Sequence, residues 1–108
     1  MRKNFLSFLF LGVILLSSCT SNDLSSTPIL FYGEGCPHCA LVESYLSEQK
    51  IVLSQKEVYH HPDNASELAL YAKHCNMDTK NIGVPFLWTG KECLSGDEPI
   101  ITYLKKQR

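Results

Sequence analysis

Ile29-Leu30-Phe31-Tyr32-Gly33-Glu34-Gly35-Cys36-Pro37-His38-Cys39 decides how this chain folds. Its first four residues form a short apolar run stopped by Gly33, the pattern of a buried strand. Its last four open a stretch with helical spacing from Pro37 to Gln49. There Leu41, Val42, Tyr45 and Leu46 share one face, and Glu43, Ser47 and Glu48 lie away from it. Pro37 suits the first helical turn, where no N–H partner is needed. The stretch reads as strand, turn, helix, with two cysteines at the helix start.

The rest of the chain extends this unit. Ile51 to Tyr59 is β-rich, with Ile51, Leu53 and Val58 apolar, and predicts a second strand. His60-His61-Pro62-Asp63-Asn64 is turn-like and offers Asp63 or Asn64 as a helix cap. A second helix is expected from Ala65 to Asn76, with Leu68, Tyr71, Ala72 and Cys75 as its apolar stripe. Phe86-Leu87-Trp88 and Glu92-Cys93-Leu94 read as two strands joined by a turn at Thr89-Gly90-Lys91. A last helix starts near Pro99, carries Ile100, Ile101, Tyr103 and Leu104, and closes on Lys105, Lys106 and Arg108. The order β-α-β-α-β-β-α makes this an α/β chain with a mixed four-stranded sheet and helices on both faces.

Upstream, Arg2 and Lys3 precede an apolar run from Phe5 to Leu16, and small residues Ser17 and Ser18 follow it. This is the layout of a secretory signal. The run has 12 residues, and a membrane-spanning helix needs about 20. Leu16-Ser17-Ser18-Cys19 resembles the bacterial lipobox, which implies that Cys19 carries lipid and becomes the new N-terminus. A cleaved signal peptide with a chance cysteine, or an uncleaved N-terminal anchor, are the alternatives. All three place the domain outside the cytoplasm. The expected organisation is a lipoprotein signal over residues 1–18, a flexible tether over 19–28 and one domain over 29–108. From Cys19 onward there are eight Lys or Arg and eleven Asp or Glu, a formal charge of −3. No basic patch suggests nucleic acid.

Cys36 and Cys39 carry the chemistry. A cysteine at a helix start lies beside unpaired N–H groups and the positive end of the helix dipole, and both favour thiolate, the attacking species. Two intervening residues put Cys39 one turn away, within reach of a disulfide. His38, when protonated, adds positive charge near the Cys36 sulfur, and Glu34 opposes it. The other readings of the motif are a purely structural disulfide and half of a zinc site completed by Cys75 and Cys93. His60, His61 and His74 read as surface histidines, and Trp88 and the tyrosines as core or rim.

FYGEGCPHC, followed much later by GVPFLW, resembles the thioredoxin superfamily over residues 29–107. Size and element order are similar to its glutaredoxin-like branch, and the CPHC tetrapeptide to the DsbA-type oxidases. The resemblance implies a thioredoxin fold and thiol–disulfide exchange through Cys36 and Cys39, with Pro37 and His38 tuning the pair. It also implies a cis Pro85 opposite the motif and Val84 as the residue whose backbone pairs with substrate. Glutathione-binding relatives carry a Lys before the motif and a Thr before the Val-Pro. Here Gly33-Glu34-Gly35 and Gly83 stand in those places, and Asp97-Glu98 only loosely resembles their acidic pair, so glutathione specificity is not implied.

The expected function is that of a cell-envelope oxidoreductase, lipid-anchored on the extracytoplasmic side, the periplasmic side in a Gram-negative cell. It acts on protein thiols and disulfides with a redox partner and without a cofactor or metal. The alternative is a thioredoxin-like binding module holding copper through the same two thiols. Cys75 and Cys93 remain. Cys75 lies on the second helix's stripe, and Cys93 alternates with Leu94, so Cys93 faces the second helix if Leu94 faces the other two. They are either a structural disulfide or two buried thiols.

Overall fold

The computed structural model describes residues 23–107, together with Gly12. Cys19 and, Gly12 apart, the signal stretch lie outside the described residues. Strands β1 (Ile29–Tyr32), β2 (Ser54–Glu57), β3 (Phe86–Trp88) and β4 (Cys93–Ser95) and helices α1 (Pro37–Glu48), α2 (Pro62–His74) and α3 (Asp97–Lys106) follow in the order β1-α1-β2-α2-β3-β4-α3. The result is a mixed α/β domain with one four-stranded sheet in the order β2-β1-β3-β4. β1 pairs with β2 in parallel and with β3 antiparallel, and β3 pairs with β4 antiparallel.

β1 is the apolar centre of the sheet, and its alternate side chains feed two cores. Ile29 and Phe31 pack with Phe86 and Trp88 against Leu68, Tyr71 and Ala72 of α2. Leu30 packs with Leu87 against Val42 and Leu46 of α1 and Ile100 and Leu104 of α3. In the first core the rings of Phe31, Tyr71 and Trp88 follow one another, with centroids 5.8 Å and 4.9 Å apart. Such tilted pairs add to what burial alone contributes.

β2 departs from expectation. It is confined to Ser54-Gln55-Lys56-Glu57, a polar run. Ile51 and Leu53 precede it and pack into the second core, while Val58 follows it and packs into the first. Parallel hydrogen bonding to β1 selects these four residues, and a polar edge strand discourages further pairing. α2 starts earlier than its apolar stripe, with Pro62 in the first turn and His61 at the N-cap. Neither Asp63 nor Asn64 caps it: Asp63 lies in the first turn, facing the positive dipole end, and Asn64 Nδ2 donates to the Glu57 carbonyl at 2.9 Å. α3 begins at Asp97 rather than Pro99. Leu41 is 52% exposed, outside the buried face of α1.

The segment read as tether is partly docked. Leu24 packs against the first core. The Ser25 N–H donates to the Tyr71 hydroxyl at 3.0 Å, and Trp88 Nε1–H donates to the Ser25 carbonyl at 2.7 Å. Gly90 lets this strand of chain approach: its φ is +100°, and a Cβ there would lie 2.6 Å from the Ser26 carbonyl oxygen. Among the described residues no helix is long and apolar enough to cross a membrane.

Candidate active site

The loop between β1 and α1 carries the two cysteines. Gly35 takes a φ of +83°, which glycine adopts without strain. The Cys36 N–H then closes the turn onto the Gly33 carbonyl at 3.1 Å. Cys36 is the N-cap of α1, with an extended backbone, and Pro37 takes the first turn. Cys36 and Cys39 form a disulfide with Cα atoms 5.2 Å apart. The Cys39 N–H points at Cys36 Sγ at 3.1 Å. It is one of the N–H groups that a helix start leaves without a backbone partner. Cys36 is half-buried, whereas Cys39 is fully buried. Only the first sulfur can be met by another protein.

The wall opposite is the segment before β3. The Val84–Pro85 bond is cis, Pro85 is fully buried, and the Val84 carbonyl oxygen lies 3.7 Å from Cys36 Sγ. The Pro85 carbonyl accepts the Gly96 N–H at 3.0 Å. Gly96, with φ of +95°, turns the chain from β4 into α3. This brings the Asp97 carboxylate to within 3.0 Å of His38 Nδ1. A groove of 330 Å³ runs beside Val84 and is lined by Val58, Tyr59, Ala65, Leu68 and Ile82 among others. A larger groove of 790 Å³, by Leu24, Leu70, Trp88 and Gly90, shares no residue with the site.

No protein-family model matches the chain, and no curated protein matches it.

The four cysteines of the domain form two separate disulfides rather than one four-sulfur site. Cys75, the C-cap of α2, is joined to Cys93, the first residue of β4, with Cα atoms 6.2 Å apart. Among the described residues no group of three His, Cys, Asp or Glu is arranged to hold a metal. His74 is exposed and stands edge-on to Trp88, ring centroids 5.6 Å apart.

Several partners of the site escape sequence reading. His38 and Asp97 are 59 positions apart. The ring of Tyr59 lies where a Cβ on Gly33 would be, 2.2 Å from the nearest ring atom. Glu57 is 8% exposed and collects donors from the loop before Cys36 and from the turn after β2. Burial pushes its carboxyl up, but hydrogen bonds from Glu34, His60, His61 and Tyr59 outweigh this and bring its pKa down to about 2. His60 and His61, exposed as expected of a turn, both reach Glu57, with Nδ1 3.5 Å and 3.2 Å from Oε1. The only sequence signal for any of this is a Glu at the end of an otherwise polar strand.

Proposed function

We propose that this chain is a thiol–disulfide oxidoreductase with a thioredoxin fold, helices on both faces of the sheet, acting on protein thiols and disulfides in the bacterial cell envelope. The observation that carries the reading is the disulfide at the start of α1, whose outer sulfur alone is reachable and lies beside the Val84 carbonyl. In the reduced protein, the Cys36 thiolate attacks a substrate disulfide, forming a mixed disulfide and releasing one substrate thiolate. Cys39, once deprotonated, attacks Cys36 Sγ, closes the Cys36–Cys39 bond and releases the second substrate thiolate. Two electrons pass from protein to substrate, and the reverse sequence oxidises a dithiol. The reaction calls for no cofactor, and its direction follows the potential of the partner.

Each neighbour has a role in this scheme. The Cys39 N–H and the helix start stabilise the Cys36 thiolate. Pro37 fixes the first turn, a protonated His38 adds positive charge, and the Val84 backbone pairs with the substrate chain beside Pro85. Cys19 carries lipid and holds the domain at the membrane surface, where about 0.8 kcal/mol per buried CH2 group anchors it.

Alkylation of the reduced protein by iodoacetamide against pH tests the site. Cys36 should react first and already at full rate at neutral pH; labelling that rises only in alkali, or that reaches Cys39 first, overturns the assignment. Cys19→Ala should release the domain from the membrane fraction, and a soluble wild type starting at another residue would remove the anchor from the proposal.

A further inference from the structure

The turn after β2 grips the loop that leads into Cys36. The Val58 N–H donates to the Tyr32 carbonyl at 2.9 Å. Tyr59 lays its ring over Gly33. His60 Nδ1 lies 3.6 Å from the Glu34 carboxylate. At the centre is the buried carboxylate of Glu57. Its Oε2 accepts the N–H of Glu34 at 2.8 Å and of Tyr59 at 3.1 Å. Its Oε1 accepts the N–H of His60 at 2.7 Å and lies 3.2 Å from His61 Nδ1.

The bond to Glu34 is the one with reach. Glu34 sits between Gly33, whose carbonyl closes the turn with the Cys36 N–H, and Gly35 with its positive φ. Two glycines make this loop intrinsically mobile, because glycine has the most conformational freedom to lose. Something outside the loop must hold it for Cys36 Sγ to keep its place beside the Val84 carbonyl. We infer that Glu57 is a positioning residue for the exchange proposed above: its carboxylate holds the Gly33–Gly35 loop, and so sets where Cys36 meets a polypeptide substrate.

The chemistry demands a carboxylate and not merely a polar side chain. Both oxygens act as acceptors, each for a backbone N–H. Glutamine is the same size but offers one acceptor oxygen, and its NH2 would face donors on the other side. Such a buried mismatch costs more than a missing bond. Aspartate keeps both acceptors on a shorter arm. This inference rests on the exchange reading, and the experiment separates the two.

The reduced full-length protein is assayed with insulin as the polypeptide disulfide and with dithiobis(nitrobenzoate) as the small one. Glu57→Gln should slow the insulin reaction by about tenfold, as a misplaced reacting group does, and change the small-disulfide rate by less than about twofold. Glu57→Asp should recover most of the insulin rate, and Glu57→Ala, which removes both acceptors without setting an NH2 against the donors, takes the place of the glutamine variant in every comparison if that variant does not fold. In parallel, amide hydrogen exchange should show protection of the Glu34 N–H falling about tenfold in Glu57→Gln, with α2 unchanged. An equal fall on both substrates, or an unchanged Glu34 amide, overturns the role of Glu57. If the wild type itself does not react with insulin, the exchange reading fails, and the Glu34 amide alone then decides whether Glu57 holds the loop.

Discussion

Cys36–Cys39 closes a separation of three residues at the start of α1, whereas Cys75–Cys93 spans 18 and joins the end of α2 to β4. The first pair stands at a helix start with one sulfur reachable and an N–H aimed at it. The second packs against the core of Leu68, Tyr71 and Trp88, with Cys93 Sγ 3.4 Å from the Tyr71 carbonyl oxygen. In the chain-entropy view a bridge over 18 residues stabilises by about 3 kcal/mol, and one over three residues by about half of that. Reducing the short bridge therefore costs the fold little, which suits a bond that opens and closes. Reducing the long one loosens the tie between α2 and the edge of the sheet. One chemical bond serves exchange in one setting and bracing in the other.

The largest effects should come from the first pair. Cys36→Ser should abolish exchange with insulin altogether, and Cys39→Ser should accumulate mixed disulfides visible on a non-reducing gel. Exchange that survives in Cys36→Ser and moves to Cys75 or Cys93 would break the comparison at once. Next comes the brace. The double variant Cys75→Ala/Cys93→Ala should lose about 3 kcal/mol, which is a fall in Tm of roughly 12 °C or more for a domain this small. Its insulin rate at low temperature should stay within about threefold of the wild type, since distant sites act independently. A rate that collapses together with Tm would show that the two regions are not separable.

What could be read from sequence depended on whether the deciding partner was local. β1, the cysteine turn and β3 follow from runs of neighbouring residues: Gly33 stops the strand, Pro37 starts the helix, and Phe86-Leu87-Trp88 has apolar residues on both faces. The bounds of β2 did not, because Ile51 and Leu53 are apolar for the sake of the second core and the pairing with β1 picks polar residues instead. For Cys75 and Cys93, helix stripe and strand alternation each set a direction, and only the packing of α2 beside β4 brings them together. The clamp on the cysteine loop was illegible. Glu57 meets the backbone of Glu34, 23 positions away, and a backbone N–H has no signature in a sequence.

Acid sharpens the contrast, because a charge holds the first region and none is needed for the second. The Glu57 carboxyl has a pKa of about 2 when folded, against an ordinary value of 4.5. A depressed pKa means that the unfolded chain binds the proton first as the pH falls. The contribution of Glu57 to stability is thus complete above pH 4.5 and is lost as the pH drops towards 2. Denaturant titrations across that range should show a flatter pH dependence in Glu57→Gln than in the wild type. Amide exchange in the wild type should show Glu34 losing protection at higher pH than Tyr71. An identical pH slope in the two proteins would remove the charge from the account.

The smallest effect should come from Asp97, which touches the first region from the side of α3. Its carboxylate lies 3.0 Å from His38 Nδ1, but His38 is 70% exposed, and a pair in that setting contributes at most about 1 kcal/mol. Asp97 also faces the positive end of α3, an interaction of similar size. Asp97→Asn keeps an oxygen acceptor for the imidazole and removes only the charge, so the two losses together stay at or below about 2 kcal/mol, less than the long bridge contributes. The sign of the chemical effect is the informative part. A protonated His38 is a cation that would favour the Cys36 thiolate, and Asp97 neutralises it. Removing that carboxylate should speed alkylation of reduced Cys36 by about twofold at low ionic strength, and the gain should vanish in 1 M salt, where the screening length falls to about 3 Å. A slower reaction, insensitive to salt, would mean that Asp97 acts by holding the His38 ring in place, and the electrostatic account of this corner would have to be given up.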